Sequence, residues 1–354
     1  MNESGQQEQA GPSSPVSGPE APQSDLPVGA PAKLRAIVEA ARPKHWVKNV
    51  FVAAPVLFSG RFVDWRAWVQ CLAAVASFCM LSSCVYLIND ICDRSADSLH
   101  PDKRNRPIAS GRLAARLAAV AALALGLAGV GLASAVVLVG RSGVVPALAY
   151  RMPQPLGGMG LLVWAGCYVV LNLLYSFWLK DRAIVDVLVV AMGFVMRAMA
   201  GAAAIAVPIS PWLVVCTLTL CLFIAVAKRR GETIDMPQWR ASASRKAHEG
   251  YQAETIEHML TVSAGLAILT YSLYCLAPRT IGVVGSGHMV WTIPLVIYGT
   301  FRYYRRCHWP GGDDIVTALL GDRVMWLVIL AYVVLVGLVI TYGSHPAVRA
   351  ILDV

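Results

Sequence analysis

Residues 66–97 read RAWVQCLAAVASFCMLSSCVYLINDICDRSAD, an apolar run over 66–90 that ends in three aspartates. A run of about 20 apolar residues is long enough to cross a bilayer as a helix. Similar runs recur at 47–60, 113–139, 158–178, 183–206, 211–227, 256–277, 289–304 and 322–342. The stretch 47–60 is short and holds Pro55, so spanning and re-entry both stay open for it. The whole set predicts about nine transmembrane helices on the length rule. Backbone polar groups in lipid must be satisfied within the segment, which favours helices. A spanning barrel would show alternating runs, and these do not alternate. The expected fold is therefore an all-α integral membrane protein.

Composition agrees. The chain is 57% hydrophobic and 14% charged, whereas soluble domains carry about a quarter charged residues. The net charge of +9 is read through the positive-inside rule and through anionic substrates, not through nucleic acid. One set of loops holds Arg42, Lys44 and Lys48, then Arg94, Lys103, Arg104, Arg106, Arg112 and Arg116, and continues with Lys180, Arg182 and residues 228–246. The alternate set holds few cations, among them Arg61, Arg141 and Arg279. The rich set should face the cytoplasm, with the N-terminus inside and the C-terminus outside. Residues 1–35 read as a disordered cytoplasmic tail, residues 36–345 as one membrane domain, and residues 346–354 as a short C-terminal tail. The nine cysteines form no CxxC pair and read as packing residues rather than zinc ligands or disulfides.

The aspartates carry the chemistry. Asp90, Asp93 and Asp97 fall at i, i+3 and i+7, one face of a single helix, with Asn89 bordering it. Three carboxylates on one face repel unless a cation sits among them. Hard oxygens select Mg²⁺, which takes substrate phosphates as further ligands. A solvated acidic helix end is the plainer alternative, yet ionisable groups at a membrane boundary are usually functional. Lys103 and Arg106 follow in a segment shaped by Pro101, Pro107 and Gly111. Arginine grips phosphate bidentately and lysine acts as a point charge. Ordinary positive-inside loading explains part of that basic cluster.

Asn89-Asp90-x-x-Asp93-x-x-x-Asp97 followed by Arg106-Pro-Ile-Ala-Ser-Gly111 resembles the signature of the UbiA prenyltransferase superfamily. The resemblance implies nine transmembrane helices around a central cavity and a Mg²⁺-diphosphate site at the cytoplasmic face. Arg42-Pro-Lys-His-Trp-Val-Lys-Asn49 and His100-Pro-x-Lys103 are similar to one branch, that of the decaprenyl-phosphate phosphoribosyltransferases, which make a precursor of cell-wall arabinan. This places Lys44 and Asn49 among the substrate-binding candidates. It implies a plasma-membrane enzyme that takes phosphoribosyl diphosphate and a polyprenyl phosphate lipid. Many superfamily members carry a second Asp-rich motif where this chain has Tyr175, Lys180 and Asp186. Fewer carboxylates and one more cation favour a donor with an extra phosphate. A snorkelling role for Lys180 is the alternative.

Under that resemblance Asp90, Asp93 and Asp97 are the expected metal ligands. Asp90, Asp93 and Lys180 are the catalytic candidates. Arg197 lies mid-run, eleven residues after Asp186 and near the same helix face. It should pair with a buried acid or meet the lipid phosphate. Lys228 and Arg229 could clamp phosphates or serve as topological anchors. Two rival readings remain. One is prenyl transfer from a prenyl diphosphate to an aromatic or quinone-precursor acceptor. The other is a transporter, for which inverted repeats with broken helices would be expected. A homo-oligomer stays open.

Overall fold

The computed structural model describes residues 30–345 and Val348, apart from residues 60, 62, 100–102, 142–158, 209, 235–251 and 309–320. The expected tails therefore lie largely outside the described residues. A first helix, α1 (Ala30–Ala41), begins within the stretch read as N-terminal tail. A 3-10 helix (Pro43–Val52) and α2 (Ala54–Phe58) follow. Next come α3 (Trp65–Cys92), α4 (Arg94–Leu99), α5 (Ala115–Arg141), α6 (Gly160–Phe177), α7 (Val185–Ala204) and α8 (Pro211–Ile234). The chain continues through α9 (Ala253–Leu276), α10 (Pro278–Val284), a 3-10 turn (His288–Thr292), α11 (Ile293–Cys307) and α12 (Arg323–Tyr342). Among the described residues there is no strand.

Among the described residues seven helices, α3, α5, α6, α7, α8, α9 and α12, are long and apolar enough to cross a membrane. An eighth crossing results if α10 and the segment His288–Cys307, bent by 96°, count as one. The exact count of nine is not confirmed among the described residues, and the first expected member is not one long helix. Residues 43–58 form a 10-residue 3-10 helix and a 5-residue α-helix. Arg42 at φ 54° and the prolines at 43 and 55 interrupt regular helix here, because proline lacks the N–H of the i to i−4 ladder. Arg42 meets Asp90 near the C-terminal end of α3 at 2.6 Å. Arg61 meets Asp64 at the N-terminal end of α3 and donates to the Ile205 carbonyl at 2.6 Å. The irregular segment thus runs the length of α3.

Small residues allow that close passage. A Cβ at Gly201 would collide with the Val52 carbonyl, so α7 offers a bare backbone where the irregular segment crosses it. Gly129 does the same for α3, where Ser77 Oγ donates to the Gly129 carbonyl at 2.7 Å. Val52, Phe78, Leu161, Tyr168 and Ala200 join the irregular segment to α3, α6 and α7 in one core. Phe223, Ile256, Leu260 and Tyr303 join α8, α9 and α11 in a second. Leu123, Leu127, Leu327, Leu330 and Val334 point outward, as expected where lipid is the solvent. The helix directions bring the ends of α3, α6 and α8 and the start of α7 to one end of the bundle.

Candidate active site

At that end α3 stops at Cys92, Asp93 is its C-cap and α4 carries Asp97. The expected single helix face is therefore two helices joined at Asp93. Helical spacing persists across the joint. The N–H of Asp93 donates to the Asn89 carbonyl and that of Asp97 to the Asp93 carbonyl, both at 2.8 Å. Asp90 and Asp97, 2% and 4% exposed, still share a side. Arg106 Nη1 lies between them, 3.2 Å from Asp90 Oδ1 and 2.6 Å from Asp97 Oδ2. Arg42 Nη2 donates to the same Asp90 Oδ1 at 2.6 Å. Lys180 Nζ reaches Asp93 Oδ1 and Oδ2 at 2.9 and 3.1 Å. Every aspartate of the motif is paired with a cation.

The two arginines are held by a common brace. Arg112 grips Glu39 of α1 bidentately at 2.9 and 2.8 Å and donates to the Asn105 carbonyl at 2.6 Å. Hydrogen bonding from Arg112 holds the Glu39 carboxyl below the usual carboxylate range. The brace ties α1, and Arg42 just beyond it, to the loop that bears Arg106. Arg42 adopts the left-handed backbone region and lays its guanidinium 5.2 Å from the centroid of the Tyr86 ring. Such a backbone is uncommon for a residue with a side chain, and it concentrates at functional sites.

A second cluster stands beside the first. Asp186, fully buried in the first turn of α7, pairs with Arg229 Nε at 2.5 Å. Arg229 Nη2 donates to the Tyr175 hydroxyl at 3.0 Å. Three residues chosen on the sequence are thereby brought together from α6, α7 and α8. The adjacent Arg230 turns elsewhere, to Glu257 at 2.5 Å and the Cys307 carbonyl at 2.7 Å, and fastens α8 to α9 and α11. Asn89, Lys103 and Lys228 are half-buried and Lys44 is exposed. Across both clusters four carboxylates face four cations.

Arg197 and Asn49 lie away from this mouth. Arg197 donates to Asn49 Oδ1 at 2.8 Å, to the Gly193 carbonyl at 2.9 Å and to the Tyr168 hydroxyl at 2.8 Å. Its guanidinium also sits 4.5 Å from the Tyr168 ring centroid. Asn49 Nδ2 in turn contacts Cys79 Sγ and Ser82 Oγ, both at 3.3 Å. Ser82 precedes Asp90 by two helical turns, a depth of about 12 Å. Among the described residues the partners of Arg197 are neutral oxygens, and the buried acid expected as one possible partner does not meet it.

Among the described residues no three His, Cys, Asp or Glu side chains form a ready metal cage. The donor set nevertheless suits a hard cation. Asp90 and Asp97 present hard oxygens to a single positively charged atom, Arg106 Nη1, and Mg²⁺ prefers such oxygens.

Residues 50–330 match the UbiA prenyltransferase family. The chain belongs to that family. A decaprenyl-phosphate phosphoribosyltransferase of Mycobacterium tuberculosis is 33% identical over 90% of the chain and 99% of its own length. One of Corynebacterium glutamicum is 30% identical over 84% of each. Among solved structures, a UbiA homologue of Archaeoglobus fulgidus bound to DMAPP and Mg²⁺ aligns with TM-score 0.59, 16% identity, and 90% and 100% coverage. The same homologue bound to Cd²⁺ aligns with TM-score 0.52. These similarities extend the UbiA fold to nearly all of this chain. Arg42 and Tyr168 are the site residues that sequence reasoning did not single out. Arg42 carried a signal, since it opens the Arg42-Pro-Lys motif and a residue before proline is barred from ordinary helix. Tyr168 carried none.

Proposed function

We propose that this UbiA protein transfers 5-phosphoribose from phosphoribosyl diphosphate to a polyprenyl phosphate such as decaprenyl phosphate, releasing diphosphate, at the cytoplasmic face of the plasma membrane. The observation that carries the reading is the full-length similarity to decaprenyl-phosphate phosphoribosyltransferases. The mouth supports it. Tyr175, Lys180 and Asp186 supply a hydroxyl, a cation and one carboxylate where many family members carry an Asp-rich second motif, and Arg229 pairs with that carboxylate. That charge balance suits a donor with a phosphate beyond its diphosphate.

Asp90, Asp93 and Asp97 would hold Mg²⁺ on the donor. Held there, the ion would supply positive charge against the departing diphosphate. Arg106 and Lys180, within reach of those carboxylates, stabilise the same developing charge or hold the 5-phosphate. The C1–O bond to diphosphate breaks and a phosphate oxygen of the lipid forms the new bond to C1. That oxygen is already anionic, so no general base is required. Positioning and electrostatics carry the rate. An apolar groove of about 450 Å³ opens between α3 and α5, lined by Leu81, Ile88, Ile91, Gly126 and Val130 among others. It reaches Cys92, beside the aspartates, and offers a course for the lipid chain.

The test is direct. The protein in mild detergent receives Mg²⁺, labelled phosphoribosyl diphosphate and decaprenyl phosphate. Label should enter the lipid phase and vanish with EDTA. Turnover of a prenyl diphosphate with an aromatic acceptor instead would keep the family and overturn the proposed donor.

A further inference from the structure

Asp90 Oδ1 accepts from two guanidinium groups at once, Arg42 at 2.6 Å and Arg106 at 3.2 Å. An oxygen so covered cannot also ligate a metal. We propose that Arg42 is the displaceable counter-ion of Asp90: it neutralises the buried carboxylate while the site is empty and leaves when a divalent cation arrives with the donor's diphosphate. The proposal rests on the metal role of the aspartates given above and adds a residue and an exchange to it.

Three observations support Arg42 as the mobile partner. Asp90 is 2% exposed, and a buried carboxylate without a counter-charge is costly. Some cation must therefore stand there when the metal does not. Arg42 is partly exposed, 23% beside 27% for Arg106, so it has solvent to move into, although exposure alone does not choose between the two arginines. Its backbone sits at φ 54° and ψ 60°, a conformation that costs about 1 kcal/mol or more for a residue with a Cβ. The ion pair and the Tyr86 face offset that cost only while the pair is made. Arg106 has a second acidic anchor at Asp97, and among the described residues Arg42 pairs with one acid, Asp90. Once released, a planar guanidinium at this mouth matches a phosphate bidentately. Each carboxylate and each cation keeps an opposite charge throughout the exchange.

The exchange makes a signed forecast. A competing cation weakens binding of bare metal and strengthens binding of the donor, so its removal should move the two affinities in opposite directions. The full-length protein in detergent is titrated with Mn²⁺ at constant ionic strength, without donor, and free Mn²⁺ is read by electron paramagnetic resonance. Arg42→Gly, which favours the left-handed turn, should bind Mn²⁺ roughly tenfold tighter than the parent. Its KM for phosphoribosyl diphosphate should rise. Arg42→Lys should keep Mn²⁺ affinity near the parent's. Arg42→Asn, also tolerant of that turn, serves if the glycine variant does not fold. Asp90→Asn should lose Mn²⁺ affinity. If Arg42→Gly binds Mn²⁺ no tighter while Asp90→Asn loses it, the exchange is wrong and the metal role stands. If Asp90→Asn binds like the parent, the metal role at Asp90 fails first and the exchange fails with it. Mn²⁺ binding to none of these proteins overturns the exchange as well.

Discussion

At the mouth, Arg106 lies between the carboxylates of Asp90 and Asp97. Two helical turns deeper, Arg197 lies between an amide, a carbonyl and a phenol. Both arginines sit among helices of one membrane bundle, yet their surroundings serve different ends. Under the proposed function, ion pairs at the mouth would be traded one for one against a charged ligand, because carboxylate and cation would each find a new partner in metal and phosphate. Each nitrogen of the deep arginine donates once to a fixed neutral oxygen, and the three oxygens belong to three separate segments. Under the proposed function, the difference would separate residues that handle substrate from residues that hold the frame around it.

The largest expected effect would break the first half of that comparison. Asp90→Asn keeps the shape and removes the charge. It should lower kcat by on the order of a hundredfold or more, with little loss of folded protein, since an amide still accepts from Arg42. Steady-state rates beside the thermal unfolding midpoint of the same preparation decide it. An active Asp90→Asn would take this aspartate out of the chemistry.

Arg197→Leu tests the second half. It leaves Asn49 Oδ1 and the Tyr168 hydroxyl without that donor, while the Gly193 carbonyl keeps its helical N–H. Unsatisfied buried groups of this kind cost about 1–3 kcal/mol each before relaxation. Hydrogen bonds between membrane helices run smaller, about 0.6 kcal/mol on average. A net loss of about 2 kcal/mol is expected, seen as a lower unfolding midpoint in detergent. The KM for polyprenyl phosphate in the folded fraction should stay within a few fold. A large selective rise in that KM, at unchanged stability, would return Arg197 to the lipid phosphate.

The two halves were unequally legible in the sequence. Apolar runs of about 20 residues foretold the seven long helices, because length against the bilayer decides the matter locally. The aspartates and Arg106 stood within one short stretch, and their spacing alone implied shared chemistry. The irregular segment 43–58 was harder, since short 3-10 helix leaves no periodic trace. Partners distant in the chain were out of reach. Arg197 and Asn49 are 148 positions apart, and Lys180 and Asp93 are 87 apart. Reading Arg197 correctly requires knowing that Gly201 lets the irregular segment pass against α7. That is a packing fact, and no motif states it.

The smallest effect concerns a pair at the same end of the bundle but nearer to solvent. Asp322 caps α12 by accepting from the N–H groups of Val324 and Met325, and Arg302 of α11 holds it bidentately, 2.8 Å at each oxygen. Hydrogen bonding from Arg302 pulls the Asp322 pKa down to about 2, against about 3.9 in an unfolded chain. A carboxylate depressed in this way adds stability above its unfolded pKa and loses it as pH falls through the folded value. Asn at this position still caps a helix, so Asp322→Asn removes the charge alone. Solvent screening keeps such a pair weak. The variant should melt about 1–2 °C lower at pH 7, and the gap should close as pH drops from about 4 toward 2. A gap that persists at low pH, or one that survives 1 M salt undiminished, would mean that Asp322 acts through cap geometry and not through its charge.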